Sequence, residues 1–204
     1  PFGFRLSAPL PRLTKTWEHR DRGRLSFWYA PGIRPNPKKI EHAARFVDSL
    51  AVLFDTPAPK HLDVYIASTI DEAQRATGLD FDVEASGPGN GFGGRTLPSG
   101  IILVGHPNIG EAYFHEFVHA VLGPLRPGNA LMGEGIPVWL GGSQGRTTSE
   151  LFAILGRAQQ SDPSLTLAGV LDDDFETKPA RLGSDLQHGT GAPIVKRCLY
   201  PRRN

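Results

Sequence analysis

The sequence has little of several features that mark particular classes of protein. Its 204 residues include one cysteine, Cys198, so no disulfide can form within the chain and the redox compartment is not indicated. Lys and Arg number 22 against 21 Asp and Glu, with no long run of one sign. No apolar run approaches the roughly 18 residues that read as a membrane-spanning helix. The sequence therefore predicts neither a nucleic-acid partner nor a membrane span.

The remaining composition is typical of a folded globular protein. Hydrophobic residues make up 39% of the chain and charged residues 21%, and the chain is long enough for one well-packed core. We expect residues 1–24, with several prolines and a charged stretch, to form an extended N-terminal arm. Residues 25–204 are expected to form a single domain, in which 25–109 build a scaffold of sheet and helix and 110–204 are mainly helical.

Strand and helix patterns alternate along the first half of the chain. A long helix is predicted after Asn36, a favoured N-cap residue type that precedes Pro37. Thr69 and Glu72 have the spacing of a capping box, which predicts a short helix. Runs rich in apolar, β-branched and aromatic residues predict strands at 25–30, 62–67 and 101–105. This mixture predicts an α+β fold.

The motif His115-Glu116-x-x-His119 carries the strongest chemical signal. Two histidines four residues apart project from the same side of a helix, where both can bind one metal ion. Glu116 is then placed to take a proton from a metal-bound water. Apolar residues at helical spacing over 110–122, followed by a Gly-Pro pair, place the motif on a helix. The motif predicts a zinc hydrolase; the alternative is a helix with two packed or solvent-facing histidines.

A catalytic zinc needs a third protein ligand. The metzincin pattern is excluded, because Leu122 and Leu125 stand where it requires glycine and histidine. Glu134 lies between two glycines at the start of a second apolar helical run, and the chain after His119 is long enough for this helix to return beside the first. Glu134 is therefore the predicted third ligand. The alternative is a carboxylate that only favours a helix N-terminus.

These residues resemble the two motifs of a known family. The resemblance is to the gluzincin zinc metallopeptidases, most closely the small bacterial peptidase-MA-like group, and it rests on His115-Glu116-x-x-His119 and Glu134-Gly135-x-x-x-Trp139-Leu140. It implies a zincin-like fold, in which a small mixed sheet with an edge strand over the cleft is followed by the active-site helix and a mainly helical C-terminal part. It also implies one zinc ion bound by His115, His119 and Glu134, with Glu116 as general base. Export of the protein is a further expectation, because the family has many exported members.

Two positions depart from the family's pattern. Pro137 stands where alanine is usual, and a proline is expected only in the first turn of a helix. Larger gluzincins carry an aspartate four residues after the third ligand, which orients a histidine, and Val138 occupies that position here. We therefore expect some other acceptor to orient the histidine.

The expected activity is hydrolysis of peptide bonds in a peptide or protein substrate, by a metal-bound water that Glu116 activates. His188 is predicted to stabilise the oxyanion, because it falls about where the family has a downstream tyrosine; Tyr200 and Tyr113 are the next candidates. His106 is left without a ligand role, since the three ligands are complete. Two alternatives remain open: a non-catalytic or pseudo-peptidase metal-binding module, and a zinc hydrolase acting on a non-peptide acyl substrate.

A glycine-rich stretch and a short strand precede the motif helix. Residues 86–100 are too rich in glycine for a regular element, which predicts a loop beside the cleft or on the surface. By resemblance, the following strand, 101–105, is the edge strand to which an extended peptide adds by main-chain hydrogen bonds. The alternative is an ordinary buried strand.

Overall fold

A computed structural model of the protein describes residues 8–79, 93–97, 99–123 and 130–162. These ranges contain both helices and strands, and the strands form one mixed sheet, so the predicted α+β class is confirmed. None of the helices in these ranges has the length and apolar character of a membrane span.

The chain divides into two compact units. The first consists of Pro1–Ala44 and Pro59–Glu111, and it contains every strand among the described residues. The second consists of Arg45–Ala58 and Ala112–Asn204, and it contains the helices that carry the predicted metal ligands. The scaffold and the candidate site thus belong to different units of the chain.

Five strands form the sheet in the described part of the first unit. They are β1 (Glu18–Arg22), β2 (Leu25–Tyr29), β3 (Leu62–Ile66), β4 (Gly94–Thr96) and β5 (Ile101–Val104). Their spatial order is β1-β2-β3-β5-β4. The three central strands run parallel, and the two outer strands pair antiparallel with their neighbours.

The central strands are buried on both faces of the sheet. Phe27 and Val64 are fully buried and lie opposite each other in the β2–β3 register. On the other face Trp28 pairs with Tyr65, and their rings stack with centroids 5.8 Å apart. A strand covered on both faces needs apolar side chains at successive positions, which explains the near-continuous apolar runs that predict these strands.

Three helices begin in the first part of the chain: α1 (Pro9–Leu13), α2 (Pro37–Leu53) and α3 (Ile70–Ala76). The Asn36 side-chain oxygen accepts hydrogen bonds from the backbone N–H groups of Lys38 and Lys39, which confirms it as the N-cap of α2. The Thr69 hydroxyl accepts from the backbone N–H of Glu72 at 3.1 Å and caps α3 in the same way. The polar residues that predicted helix starts therefore act through the hydrogen bonds expected of them.

The strand β5 lies inside the sheet, so the expected edge role of Ile101–Val104 is wrong. It pairs with β3 on one side and with β4 on the other. The expectation of no regular element over 86–100 is also wrong at Gly94–Thr96, which forms β4. The N–H of Gly100 bonds the carbonyl of Leu97 at 2.9 Å, so the glycine-rich composition serves a tight turn between two paired strands. Residues 86–92 and 98 of that stretch lie outside the described residues.

The described part of the predicted N-terminal arm contributes to the fold. Residues 8–24 include α1 and β1, and β1 pairs with β2 along its whole length. Four of the five residues of β1 are exposed, and its sequence alternates between charges of both signs. Charged side chains protect an edge strand from pairing with other chains. Because β1 is charged rather than alternately apolar and polar, its sequence does not predict a strand.

Candidate metal centre

Three helices lie wholly within the described part of the second unit, which also contains the end of α2 from Arg45 onwards. They are α4 (Phe114–Leu122), α5 (Ala130–Gly141) and α6 (Thr148–Ser161).

Both predicted histidine ligands lie on α4. The helix is shorter than the predicted span of 110–122, because Gly110–Ala112 form a separate 3-10 turn and Tyr113 caps the helix. At the other end the N–H of Gly123 donates to the carbonyl of His119. One side of the helix is anchored by buried apolar residues, namely Phe117, Val118, Val121 and Leu122. The anchored helix holds His115 and His119 one turn apart on a single face.

The third predicted ligand, Glu134, lies in the second turn of α5 rather than at its start. The influence of a helix dipole falls off within the first turn, so that influence does not account for a carboxylate here. Gly141, at the end of α5, allows a close approach to α4: a Cβ at this position would lie 2.4 Å from the backbone nitrogen of His115. Only glycine permits the two helices to pack at this distance.

Pro137 lies inside α5, so the expectation that it occupies the first helical turn is wrong. A proline within a helix has no N–H to donate to the carbonyl four residues earlier, here that of Gly133. The proline itself and its neighbours Ile136 and Val138 are buried. Apolar packing of this part of the helix compensates for the missing hydrogen bond.

The side chains of His115, His119 and Glu134 come together as one cluster. The two histidine Nε2 atoms lie 3.0 Å apart. One carboxylate oxygen, Oε2 of Glu134, lies 3.2 Å from Nε2 of His115 and 3.4 Å from Nε2 of His119. The three donor atoms therefore form a nearly equilateral triangle.

These separations fit a single metal ion. An ion bound tetrahedrally at about 2.0–2.1 Å from each ligand separates its ligand atoms by about 3.3–3.4 Å. The observed separations of 3.0 to 3.4 Å are close to that value. Among the described residues, this is the only group of three or more His, Cys, Asp or Glu side chains close enough to hold a metal. The three side chains thus lie close enough together to bind one metal ion.

A backbone carbonyl orients the first histidine. Nδ1 of His115 lies 3.0 Å from the carbonyl oxygen of Gly142 in a buried contact. A carbonyl only accepts hydrogen bonds, so Nδ1 carries a hydrogen and, in the neutral ring, Nε2 presents its lone pair to the cluster. This is the acceptor expected in place of the side chain at Val138.

The charges within the cluster favour its ionised forms. Burial alone would raise the pKa of Glu134, but hydrogen bonds from His115 and His119 lower it overall. For His115, burial lowers the pKa, and the hydrogen bond to Glu134 together with the charges of Glu116 and Glu134 outweighs it and raises the pKa. A concentration of negative charge that stabilises a cationic imidazole also favours a metal cation.

Glu116 adjoins the cluster without belonging to it. It is buried, with 5% of its surface exposed, and its charge acts on His115. The three side chains of the cluster differ in exposure: that of His115 is 8% exposed, that of His119 27% and that of Glu134 38%. Solvent therefore reaches the ligand set from the side of Glu134 and His119.

Tyr113 and His106, two of the other candidates for the site, are both among the described residues. Tyr113 is buried, and its ring centroid lies 6.4 Å from that of His115. His106 follows β5 in the first unit and does not belong to the three-residue cluster. His188, Tyr200 and Cys198 lie outside the described residues.

Sequence reasoning missed the roles of Gly141 and Gly142. One allows α5 to approach α4, and the other supplies the carbonyl that orients His115. The available signal was the Gly-Gly pair directly after the apolar run of α5, where a single glycine would have sufficed to end a helix.

Comparisons of the chain with models of protein families, with curated proteins and with solved structures gave no match.

Proposed function

We propose that the chain is a zinc-dependent metallopeptidase of the gluzincin type. The observation that carries the proposal is the triangle of His115, His119 and Glu134 donor atoms, with the carboxylate of Glu116 following the first histidine on the same helix. Two histidines four residues apart with an intervening glutamate are the arrangement of zinc peptidases that use a glutamate as general base. The zincin-like fold belongs to the same proposal.

The donor chemistry favours zinc over the common hard cations. Calcium and magnesium bind oxygen ligands, calcium through six to eight of them, whereas imidazole nitrogen suits zinc and its transition-metal neighbours. Two imidazoles and one carboxylate are also the ligand set of known catalytic zinc sites. Closed structural sites use four protein ligands, while catalytic sites use three and leave a position open. The described residues supply three ligands, and the side chains of Glu134 and His119 are partly exposed, both of which support the catalytic class.

The residues of the chain divide the chemistry between them. His115, His119 and Glu134 would hold the zinc ion, which would supply Lewis acidity towards a substrate carbonyl and towards water. Glu116 accepts the proton of the attacking water and delivers it to the leaving amine. The hydrogen bond from His115 to Gly142 keeps the imidazole in a fixed orientation while this occurs. His188 donates to the oxyanion, a role that rests on its position in the sequence.

The proposal is tested by Glu116→Gln, which removes the base and keeps the ligands. We expect zinc content equal to that of the wild type and peptide hydrolysis lowered by about 10²- to 10⁴-fold. Glu41→Gln is the matched control, because Glu41 forms an exposed ion pair with Arg22 in the first unit and exposed pairs contribute little to stability. Zinc content is measured by elemental analysis, and hydrolysis with a peptide library.

Each other outcome identifies one alternative. Zinc-loaded wild-type protein that hydrolyses neither peptides nor activated esters is a non-catalytic metal-binding module. Zinc-loaded protein that cleaves activated esters but no peptide is a hydrolase of non-peptide acyl substrates. Equal peptide hydrolysis by the wild type and Glu116→Gln overturns the assigned mechanism.

A further inference from the structure

We propose that the segment Gly141–Arg146 is a positioning element of the metal site, in which the Gly142 carbonyl selects the nitrogen through which His115 binds the metal. The inference rests on the proposed function, because it concerns the same ligand set. It assigns to backbone groups the work that an aspartate side chain would do if it stood at Val138.

The hydrogen bond between His115 and Gly142 has a definite direction. Nδ1 of His115 donates to the Gly142 carbonyl at 3.0 Å, and the contact is buried, so water does not compete for either group. With Nδ1 committed as a donor, Nε2 is the only ring nitrogen left to bind a metal. That same Nε2 is the atom that faces His119 and Glu134.

The Gly142 carbonyl is held in place by hydrogen bonds on both sides. On the helix side, the N–H of Gly142 donates to the carbonyl of Val138 at 2.9 Å. On the other side, Ser143 and Arg146 exchange two backbone hydrogen bonds, of 3.0 and 2.8 Å, across a two-residue turn. The Thr148 hydroxyl then bonds the carbonyl of Val138 at 2.9 Å and ties the start of α6 to the end of α5. The carbonyl is therefore preorganised rather than free to rotate.

The backbone of this segment sterically requires two glycines in succession. Gly142 has φ +74°, and a Cβ there would lie 2.0 Å from the carbonyl oxygen of Arg146. A Cβ at Gly141 would lie 2.4 Å from the backbone nitrogen of His115. A helix cap needs one glycine in the left-handed region, as at Gly142. Gly141 is not needed for the cap. It is required because the backbone at this position passes close to His115, so the segment is shaped to contact the ligand and not only to end the helix.

The test measures zinc affinity and the state of the His115 ring. Gly142→Ala and Gly141→Ala should each weaken zinc binding by roughly 10- to 100-fold, the usual effect of disturbing a group that orients a ligand. Gly156→Ala on α6 is the control: its Cβ would meet nothing within 4 Å, and its affinity should match the wild type. Affinities come from competition with a chromogenic chelator, and circular dichroism establishes that each variant is folded.

The wild-type protein provides a second measurement that does not depend on a variant. In zinc-loaded protein labelled with ¹⁵N-histidine, long-range proton–nitrogen spectra should show His115 bound through Nε2, with a slowly exchanging hydrogen on Nδ1. Binding through Nδ1, or folded Gly141→Ala and Gly142→Ala variants with wild-type affinity, would overturn the positioning role and leave the proposed function intact. Wild-type protein that binds no zinc overturns the proposed function and this inference with it.

Discussion

Nε2 of His115 and Nε2 of His119 lie 3.0 Å apart and face each other across the site. Two imidazole lone pairs at this distance repel each other unless a proton or a cation lies between them. The carboxylate of Glu134 lies within 3.4 Å of both nitrogens and supplies the matching negative charge. A cation at the centre of the triangle would remove this repulsion and balance the charge of the carboxylate.

Zinc should consequently stabilise the folded protein. At about 1,000 times its dissociation constant, a ligand that binds only the folded state adds about 4 kcal/mol to the free energy of unfolding. For a chain of this size that corresponds to a rise in Tm of roughly 10 °C. Differential scanning calorimetry of chelator-treated protein with and without added zinc measures the shift.

Variants separate a specific site from general metal binding. His119→Ala should abolish the zinc-dependent rise in Tm because it removes one of the three ligands. His61→Ala should preserve the rise, since His61 is an exposed histidine of the first unit that contacts Asp63. An equal rise in the His119→Ala protein would show that zinc binds elsewhere.

Glu111 makes a buried polar contact in the first unit that stabilises the fold independently of any metal. Its carboxylate accepts hydrogen bonds from the Tyr29 hydroxyl at 2.8 Å and from the backbone N–H of Asn36 at 2.7 Å. Burial and the charge of Glu111 raise the pKa of Tyr29, which keeps the hydroxyl protonated as a donor. Glu111→Ala leaves both donors without this acceptor, and we expect a loss of about 2–4 kcal/mol in urea unfolding.

A double variant measures how much of that loss belongs to the Tyr29 contact. Tyr29→Phe in the Glu111→Ala background removes the unpaired hydroxyl. The loss in free energy of unfolding of the double variant should therefore be smaller than the sum of the two single losses by about 1 kcal/mol or more. Strictly additive losses would mean that the hydrogen bond contributes nothing to stability.

The sequence predicted the parts of the structure that local chemistry determines. The Asn36 cap, the apolar central strands and the histidine pair on α4 each follow from residue types at fixed spacing, and each is present. Glu134 was also predictable, because a carboxylate in an apolar helix needs a partner. The position of Glu134 in the second turn of α5 was harder to predict, since helix starts are set partly by tertiary packing.

The features that sequence reasoning missed depend on contacts between distant segments. β1 is identified by pairing with β2, and its own charged sequence lacks a strand pattern. β5 is interior because β4, three residues long, covers its outer side. Gly142 orients His115 through a backbone carbonyl, and a carbonyl leaves no trace in residue type.

Tyr65 should make the stability of the fold sensitive to alkaline pH. Burial and the charge of Asp63 raise the pKa of its hydroxyl from 10.0 to about 12. The folded state therefore favours the neutral form, so this contribution to stability is complete below pH 10 and is lost as pH rises towards about 12. Urea unfolding of the wild type and Tyr65→Phe across that interval should show a steeper decline for the wild type. Parallel curves would contradict the assignment.

His188 carries the one predicted role that rests on sequence position alone. If it donates to the oxyanion, His188→Phe should lower kcat by about 10²- to 10³-fold, the typical cost of removing one such donor. Zinc content should remain at the wild-type level, because His188 is not a predicted ligand. Tyr200→Phe is measured in parallel. If Tyr200 is the donor instead, kcat falls in Tyr200→Phe and not in His188→Phe. Near-wild-type turnover by His188→Phe with unchanged zinc content would remove His188 from the mechanism, and the assignment would then pass to Tyr200 or Tyr113.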